Sequence, residues 1–229
     1  MKINVLDKGF VDCQEVFGNE LTVVNCARVS FGKQKTVMEE DDLRLLRYLI
    51  RNKHFSPFRH VMFRFHIKAP EFVMRQWYKH IIGAEWSSAG AYAPFHAWNE
   101  ISGRYVPLTE FYVPDQWRKQ STNSKQGSSG FFEKENEFVP QYHEYIDQMS
   151  KLYNSFIELG VAKEQARILL PLSVYTETIW TCSFQAVMNF LELRLDPHAQ
   201  LEIQEFAKAI EEIVVAHMPN VVDIWNNET

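Results

Sequence analysis

Apolar positions along this chain recur at two different periods, and the switches between them mark its elements. From Asp41 to about Lys53, Leu43, Leu46, Leu49 and Ile50 fall three and four residues apart, which predicts a helix opened by Asp41 and Asp42. The period then drops to two. Val61, Phe63, Phe65 and Ile67 alternate with Met62, Arg64, His66 and Lys68, as in a strand with one buried face. Residues 2–6 and 21–30 also read as short strands. Pro70 stands where an N1 proline starts a helix, which is predicted to carry Phe72, Val73, Arg75, Gln76, Lys79 and His80. Residues 83–97 are small, polar and aromatic without a period, predicting a loop, and 98–106 read as extended.

The second half is mostly helical. Tyr142, Tyr145, Ile146, Met149, Leu152, Tyr153, Phe156 and Ile157 trace a long amphipathic helix stopped at Gly160. A shorter helix over 163–170 ends at Pro171, and two more, 183–195 and 198–217, are split by Asp196-Pro197. Gln116 to Glu137 is polar and rich in glycine and serine, which predicts a mobile surface loop. The pattern shows no internal repeat and predicts an α+β fold over a single domain, residues 1–229.

Composition narrows the function. At 46% hydrophobic and 14% aromatic residues the chain can bury a sizeable core. A net charge of -5 argues against a general nucleic-acid binder, which needs a basic excess. Cys13, Cys26 and Cys182 are too few and too scattered for a disulfide framework or a zinc knuckle. No histidine motif at ligand spacing predicts a metal. Without an apolar run of membrane length or a leader-like N-terminus, a soluble protein of a reducing, cytoplasmic compartment is expected, with no membrane partner. The glycines form neither G-x-G-x-x-G nor a P-loop, so any nucleotide is held by other means.

The densest chemistry lies between Arg75 and Tyr105. Guanidiniums, an ammonium, an imidazole, a carboxylate and a hydroxyl alternate there with aromatics. Buried charges are costly unless paired or facing a ligand, so this segment predicts a cleft for an anionic, planar ligand. If 98–106 is extended, Glu100, Ser102 and Arg104 share one face. Arginine beside a hydroxyl suits phosphate, and Gly103 would admit a ligand close to the backbone. The plainer alternative is a solvated strand face with a surface ion pair. Ser102 has no nucleophile elbow and no base placed by sequence, so it reads as a phosphate donor. Cys182, inside Ile179-Trp180-Thr181-Cys182, reads as a buried thiol. Arg167 and Arg194 either snorkel or pair with Glu164 and Glu192.

These residues resemble a known family. Arg75-Gln76-Trp77 with Lys79-His80, then Asn99-Glu100-x-Ser102-x-Arg104-Tyr105, is similar to the signature R-H-R-x7-S-x-R-Y of the flavin-dependent thymidylate synthases (ThyX). His54-x-Ser56-Pro57-Phe58-x-His60 resembles their H-x-[ST]-P-F-x-H turn. Arg167-Ile168-Leu169-Leu170-Pro171 and Met188-Asn189-Phe190-Leu191-x-Leu193-Arg194-x-Asp196-x-His198-Ala199-Gln200 resemble two C-terminal blocks. The resemblance implies a homotetrameric α/β enzyme, an antiparallel sheet flanked by helices, with active sites shared between subunits. It implies methylation of dUMP to dTMP using methylenetetrahydrofolate, NADPH and FAD. Carried over by position, Gln76, Lys79, Ser102, Gly103, Arg104, Arg167 and Arg194 would contact dUMP. Ser56, Lys79, His80, Ile81, Glu100 and Asn189 would contact FAD. Arg194 would polarise uracil in place of a cysteine nucleophile, and His54 would lie beside flavin and folate.

Three departures qualify that expectation. R-H-R reads Lys79-His80-Ile81, residues 84–96 are inserted within the signature, and Ser183-Phe184-Gln185 replaces an expected N-x-R. They leave open a different 5-substituted product, such as a hydroxymethyl nucleotide, or a non-catalytic nucleotide-binding homologue.

Overall fold

The alternation at residues 62–70 organises the molecule. In the computed structural model, which describes residues 1–80, 85–88, 91–94, 97–122, 127–133 and 137–228, Met62–Pro70 forms a strand (β3). Phe63, Phe65, Ile67 and Ala69 on one of its faces are fully buried. It sits in the middle of a five-stranded antiparallel sheet with Lys2–Val5 (β1), Gly9–Phe17 (β2), Tyr175–Ser183 (β9) and Ala97–Glu100 (β6). The spatial order is β1-β2-β3-β9-β6. β3 pairs with β9 from Met62↔Ser183 to Pro70↔Tyr175, and β6 pairs with the outer side of β9 from Ala97↔Thr181 to Glu100↔Thr178. The antiparallel sheet flanked by helices agrees with the expected α+β fold.

Helices pack against the sheet and against one another. They are Glu20–Arg28 (α1), Glu40–Arg51 (α2), Glu71–Trp77 (α3), Val139–Glu158 (α4), Lys163–Ala166 (α5), Phe184–Arg194 (α6), Leu201–His217 (α7) and Pro219–Glu228 (α8). The main core joins β2, β3 and β9 to α6, α7 and α8, with Trp77, Trp180 and Phe190 packed ring against ring. A second core of Phe111, Met149, Tyr153, Ala166 and Val174 lies under α4 and α5. It takes in Leu108, Leu169 and Leu170, and thereby seats the short turn that carries Arg167.

Several expectations are corrected. Residues 21–30, expected as a strand, form α1 and a following turn, because local capping decides the segment. Gly18 adopts φ +85°, Asn19 accepts the Thr22 N–H, and the Thr22 hydroxyl accepts the Asn19 N–H. Ser183, expected inside a helix, ends β9 and caps α6, its hydroxyl accepting the Ala186 N–H at 3.2 Å. The loop expected over 83–97 holds a hairpin, Glu85–Ser88 (β4) with Ala91–Pro94 (β5). The loop expected over 116–137 holds a ribbon, Arg118–Gln120 (β7) with Ser128–Phe131 (β8). Arg118 pins that ribbon by two bonds, at 2.8 and 2.7 Å, to the buried Glu202 carboxylate at the start of α7.

Candidate functional site

The chain leaves β6 at Glu100 and turns. The Ser102 carbonyl accepts the N–H groups of Tyr105 (2.9 Å) and Val106 (3.1 Å), and the Ser102 hydroxyl accepts the Arg104 N–H at 3.3 Å. The turn ends the two-residue alternation at Glu100, so Glu100, Ser102 and Arg104 do not share a strand face as expected. Glu100, Ser102 and Gly103 wall a cavity of about 500 Å³ with Arg167, Glu71 and Arg75. Arg104 is not among its walls; its guanidinium lies 3.6 Å from Glu164 and is largely exposed. Gly103, on the cavity wall, also has a packing role. A Cβ there would meet Leu108 at 3.2 Å and Arg167 Cδ at 3.5 Å, so its lack of a side chain lets Arg167 lie against the turn.

The electrostatics of this cavity are mixed. Arg167 has no hydrogen-bond or ion-pair partner among the described residues, and pairs neither with Glu164 nor with another carboxylate. A guanidinium, a hydroxyl and backbone suit a phosphate. Also on the cavity walls, Thr176 donates to Glu100 at 2.6 Å, and Glu71 lies 3.7 Å from Arg75. Burial, and then the Glu100 charge, raise the Glu71 carboxyl above the usual range. The same causes push the Tyr78 hydroxyl far up. Glu71 and Thr176 escaped the sequence reading, although Glu71 and Arg75 stand four apart on α3, a spacing that shares a face.

A second cluster forms beyond α3. The helix stops at Trp77, where the His80 N–H bonds the Trp77 carbonyl at 2.9 Å, so Lys79 and His80 lie outside the helix expected to carry them. Lys79 faces solvent, whereas His80 is only 9% exposed and packs edge-on against Phe190. Arg194, at the end of α6, donates its Nε to His80 Nε2 at 2.7 Å rather than pairing with Glu192. Burial and then Arg194 lower the His80 pKa to about 4, and burial lowers that of Arg194. Gln76 is elsewhere, its amide donating to Gln200 at 2.5 Å. Ile81 lies outside the described residues.

A third set lines a groove of about 650 Å³ at the turn after α2. His54 and Ser56 stand there with Lys53, Arg59 and Gln185, and the His54 ring meets Tyr48 edge-on. Phe31 is 78% exposed and Tyr48 55%, large apolar surface that the single chain leaves uncovered. Flat aromatic rings beside an imidazole, a hydroxyl and two cations fit a flavin nucleotide, which offers a planar ring and phosphates. Gln185, which stands where the resemblance expects an arginine, accepts from Arg59 Nε at 2.6 Å. Asn189 is half-buried on α6. The Cys182 thiol is fully buried and burial drives its pKa well up, the opposite of an activated nucleophile.

The family model described as "Thymidylate synthase complementing protein" matches residues 14–220. The flavin-dependent thymidylate synthase of Thermotoga neapolitana is 43% identical over 214 residues, 93% of this chain and 88% of the relative. That of Kosmotoga olearia is 40% identical over 99% of this chain and 94% of its own length. Among solved structures, the UMP/dUMP methylase PolB from Streptomyces cacaoi bound with 5-Br dUMP superposes with a TM-score of 0.83. It is 27% identical and the match covers 98% of this chain and 97% of that one.

Proposed function

The chain belongs to the flavin-dependent thymidylate synthase family, and we propose how its own residues divide the reductive methylation of dUMP to dTMP. FAD is its cofactor, with NADPH and methylenetetrahydrofolate as co-substrates. When bound, FAD carries the hydride that completes the methyl group.

The observation that carries the assignment is the cavity where Ser102, Gly103 and Arg167 converge with Glu100. Ser102 and Arg167 hold the dUMP phosphate, the hydroxyl as one donor and the guanidinium as a fork. Glu100, fixed by Thr176, accepts from a sugar or cofactor hydroxyl. Arg194 faces the uracil ring and stabilises the negative charge that develops there as C5 attacks the one-carbon unit. That removes the need for a cysteine nucleophile and agrees with the buried Cys182. His54 and Ser56 with Arg59 hold FAD in the groove at the turn after α2. Lys79, Ile81 and Asn189 stay assigned by position alone.

Gln76, Lys79 and Arg104 stand outside the walls of the Ser102 cavity in a single chain. This separation supports a site completed by a second copy, in a homotetramer. The family match over 14–220 supports treating residues 1–229 as one catalytic domain. No helix among the described residues is long and apolar enough to cross a membrane, and a cytoplasmic location accords with that.

The test is product analysis with purified protein, FAD, NADPH, methylenetetrahydrofolate and dUMP. A nucleotide heavier by one methylene group is expected, together with a flavin absorbance band. A hydroxymethylated product, or no product with no flavin bound, overturns the reading.

A further inference from the structure

His80 and Arg194 come from distant parts of the chain and meet nitrogen to nitrogen. The His80 N–H is tied to the Trp77 carbonyl at 2.9 Å and its ring lies 5.1 Å from Phe190, edge to face. Backbone and ring are therefore both held. Arg194 Nε lies 2.7 Å from His80 Nε2. A guanidinium nitrogen only donates, so Nε2 is the acceptor, and the neutral ring carries its proton on Nδ1. With Nε2 occupied and the residue only 9% exposed, that nitrogen is not available for a flavin contact. The terminal nitrogens of Arg194, by contrast, make no hydrogen bond or ion pair among the described residues.

We propose that His80 is a positioning residue for uracil activation, its neutral imidazole gripping Arg194 through Nε so that the terminal nitrogens are presented to the pyrimidine. The inference rests on the assignment of Arg194 to uracil. Arginine has a long, rotamer-rich side chain, and Nε is the atom whose fixation orients the planar fork beyond it. A donor set oriented before the reaction need not reorganise as charge develops on the ring. A protonated His80 could not accept the bond and would repel the guanidinium. Arg194 is the charged group that acts on the ring, and with burial it holds the imidazole neutral through the neutral pH range.

The experiment compares His80→Phe, which keeps an aromatic ring on Phe190 without an acceptor, and His80→Gln, whose amide oxygen accepts and cannot titrate. In FAD-loaded protein, His80→Phe is expected to lower kcat about 10- to 100-fold, with the KM for dUMP changed less than about threefold. His80→Gln is expected to recover most of that loss. FAD affinity, followed by flavin fluorescence, stays within about threefold in both variants. In wild-type protein, ¹⁵N spectra should show an unprotonated Nε2 at neutral pH in the imidazole signal that His80→Phe removes.

A Gln variant no better than Phe overturns the proposal. So does loss of FAD affinity with kcat intact at saturating flavin, or a protonated Nε2. If wild-type protein makes no dTMP, the reaction assignment fails, and the ¹⁵N signal and the flavin titration still decide the His80–Arg194 bond.

Discussion

Arg59 Nε donates to the Gln185 side-chain oxygen at 2.6 Å, joining the turn after α2 to the first turn of α6 across the groove that holds His54 and Ser56. The resemblance placed an arginine at position 185, where this chain has Gln185. In three dimensions a cation stands beside that position, supplied by residue 59. Arg59→Ala is expected to weaken FAD binding about tenfold, the scale of one charge-assisted hydrogen bond. Dialysis followed by flavin fluorescence titration measures it. Unchanged FAD affinity would remove Arg59 from the cofactor site, while weakened dUMP affinity alone would move it to the substrate.

The separation of Gln76 from the Ser102 cavity leads to a prediction about mixed assemblies. Ser102→Ala and Gln76→Ala are each expected to lower kcat/KM for dUMP by about tenfold or more. If active sites take residues from two copies, co-expressed variants form some sites with both residues intact. Activity of the mixture should then exceed that of either parent. A mixture no more active than its parents would mean that each chain builds its site alone.

His80 also gives the fold a pH dependence. Burial, with Arg194 second, lowers its pKa from 6.5 to about 4. The unfolded chain binds a proton near the ordinary value and the folded chain does not, so the unfolded state gains as pH falls through that window. The stability contributed by neutral His80 is fully present above about 6.5 and declines toward about 4. Urea unfolding near pH 7 and near pH 5 should show a larger loss in wild-type protein than in His80→Gln, which has no proton to take up at that position. Equal losses would show that His80 titrates normally.

How much of this was legible in the sequence follows from where the information sits. The alternation of Val61 to Ile67 and the three-four spacing of Leu43 to Ile50 are local signals, and β3 and α2 follow them. Residues 21–30 also look like a strand by composition, but the Asn19–Thr22 cap is a stronger local fact than β-propensity. β9 was missed because Thr176, Thr178 and Glu177 mask its period, although Trp180 and Cys182 are fully buried. In the site, residue types suggested a phosphate clamp at Ser102 and Arg104, whereas the fold groups Ser102 with Arg167. Spacing could not show that grouping, because the turn at Ser102 breaks the strand face and Gln76 finds Gln200 more than a hundred positions away. Those pairings are tertiary, and no spacing rule carries them.

The ribbon of β7 and β8 is tied to the start of α7 through Arg118 and Glu202. Glu202 is buried at the start of α7 and takes both bonds from Arg118, with Gln200 at 2.9 Å and Tyr112 at 3.4 Å as further donors. Arg118→Ala leaves a buried carboxylate without its cation, which costs about 3–5 kcal/mol for a fully buried pair. The remaining donors put the expectation near the lower end, a fall in Tm of about 6–12 °C for a chain of this size. Adding Glu202→Gln to Arg118→Ala removes the stranded charge while keeping an acceptor for Tyr112. The double variant should therefore melt higher than Arg118→Ala alone. If it melts lower, the carboxylate is not stranded in the single variant, and the ribbon is held by contacts other than this pair.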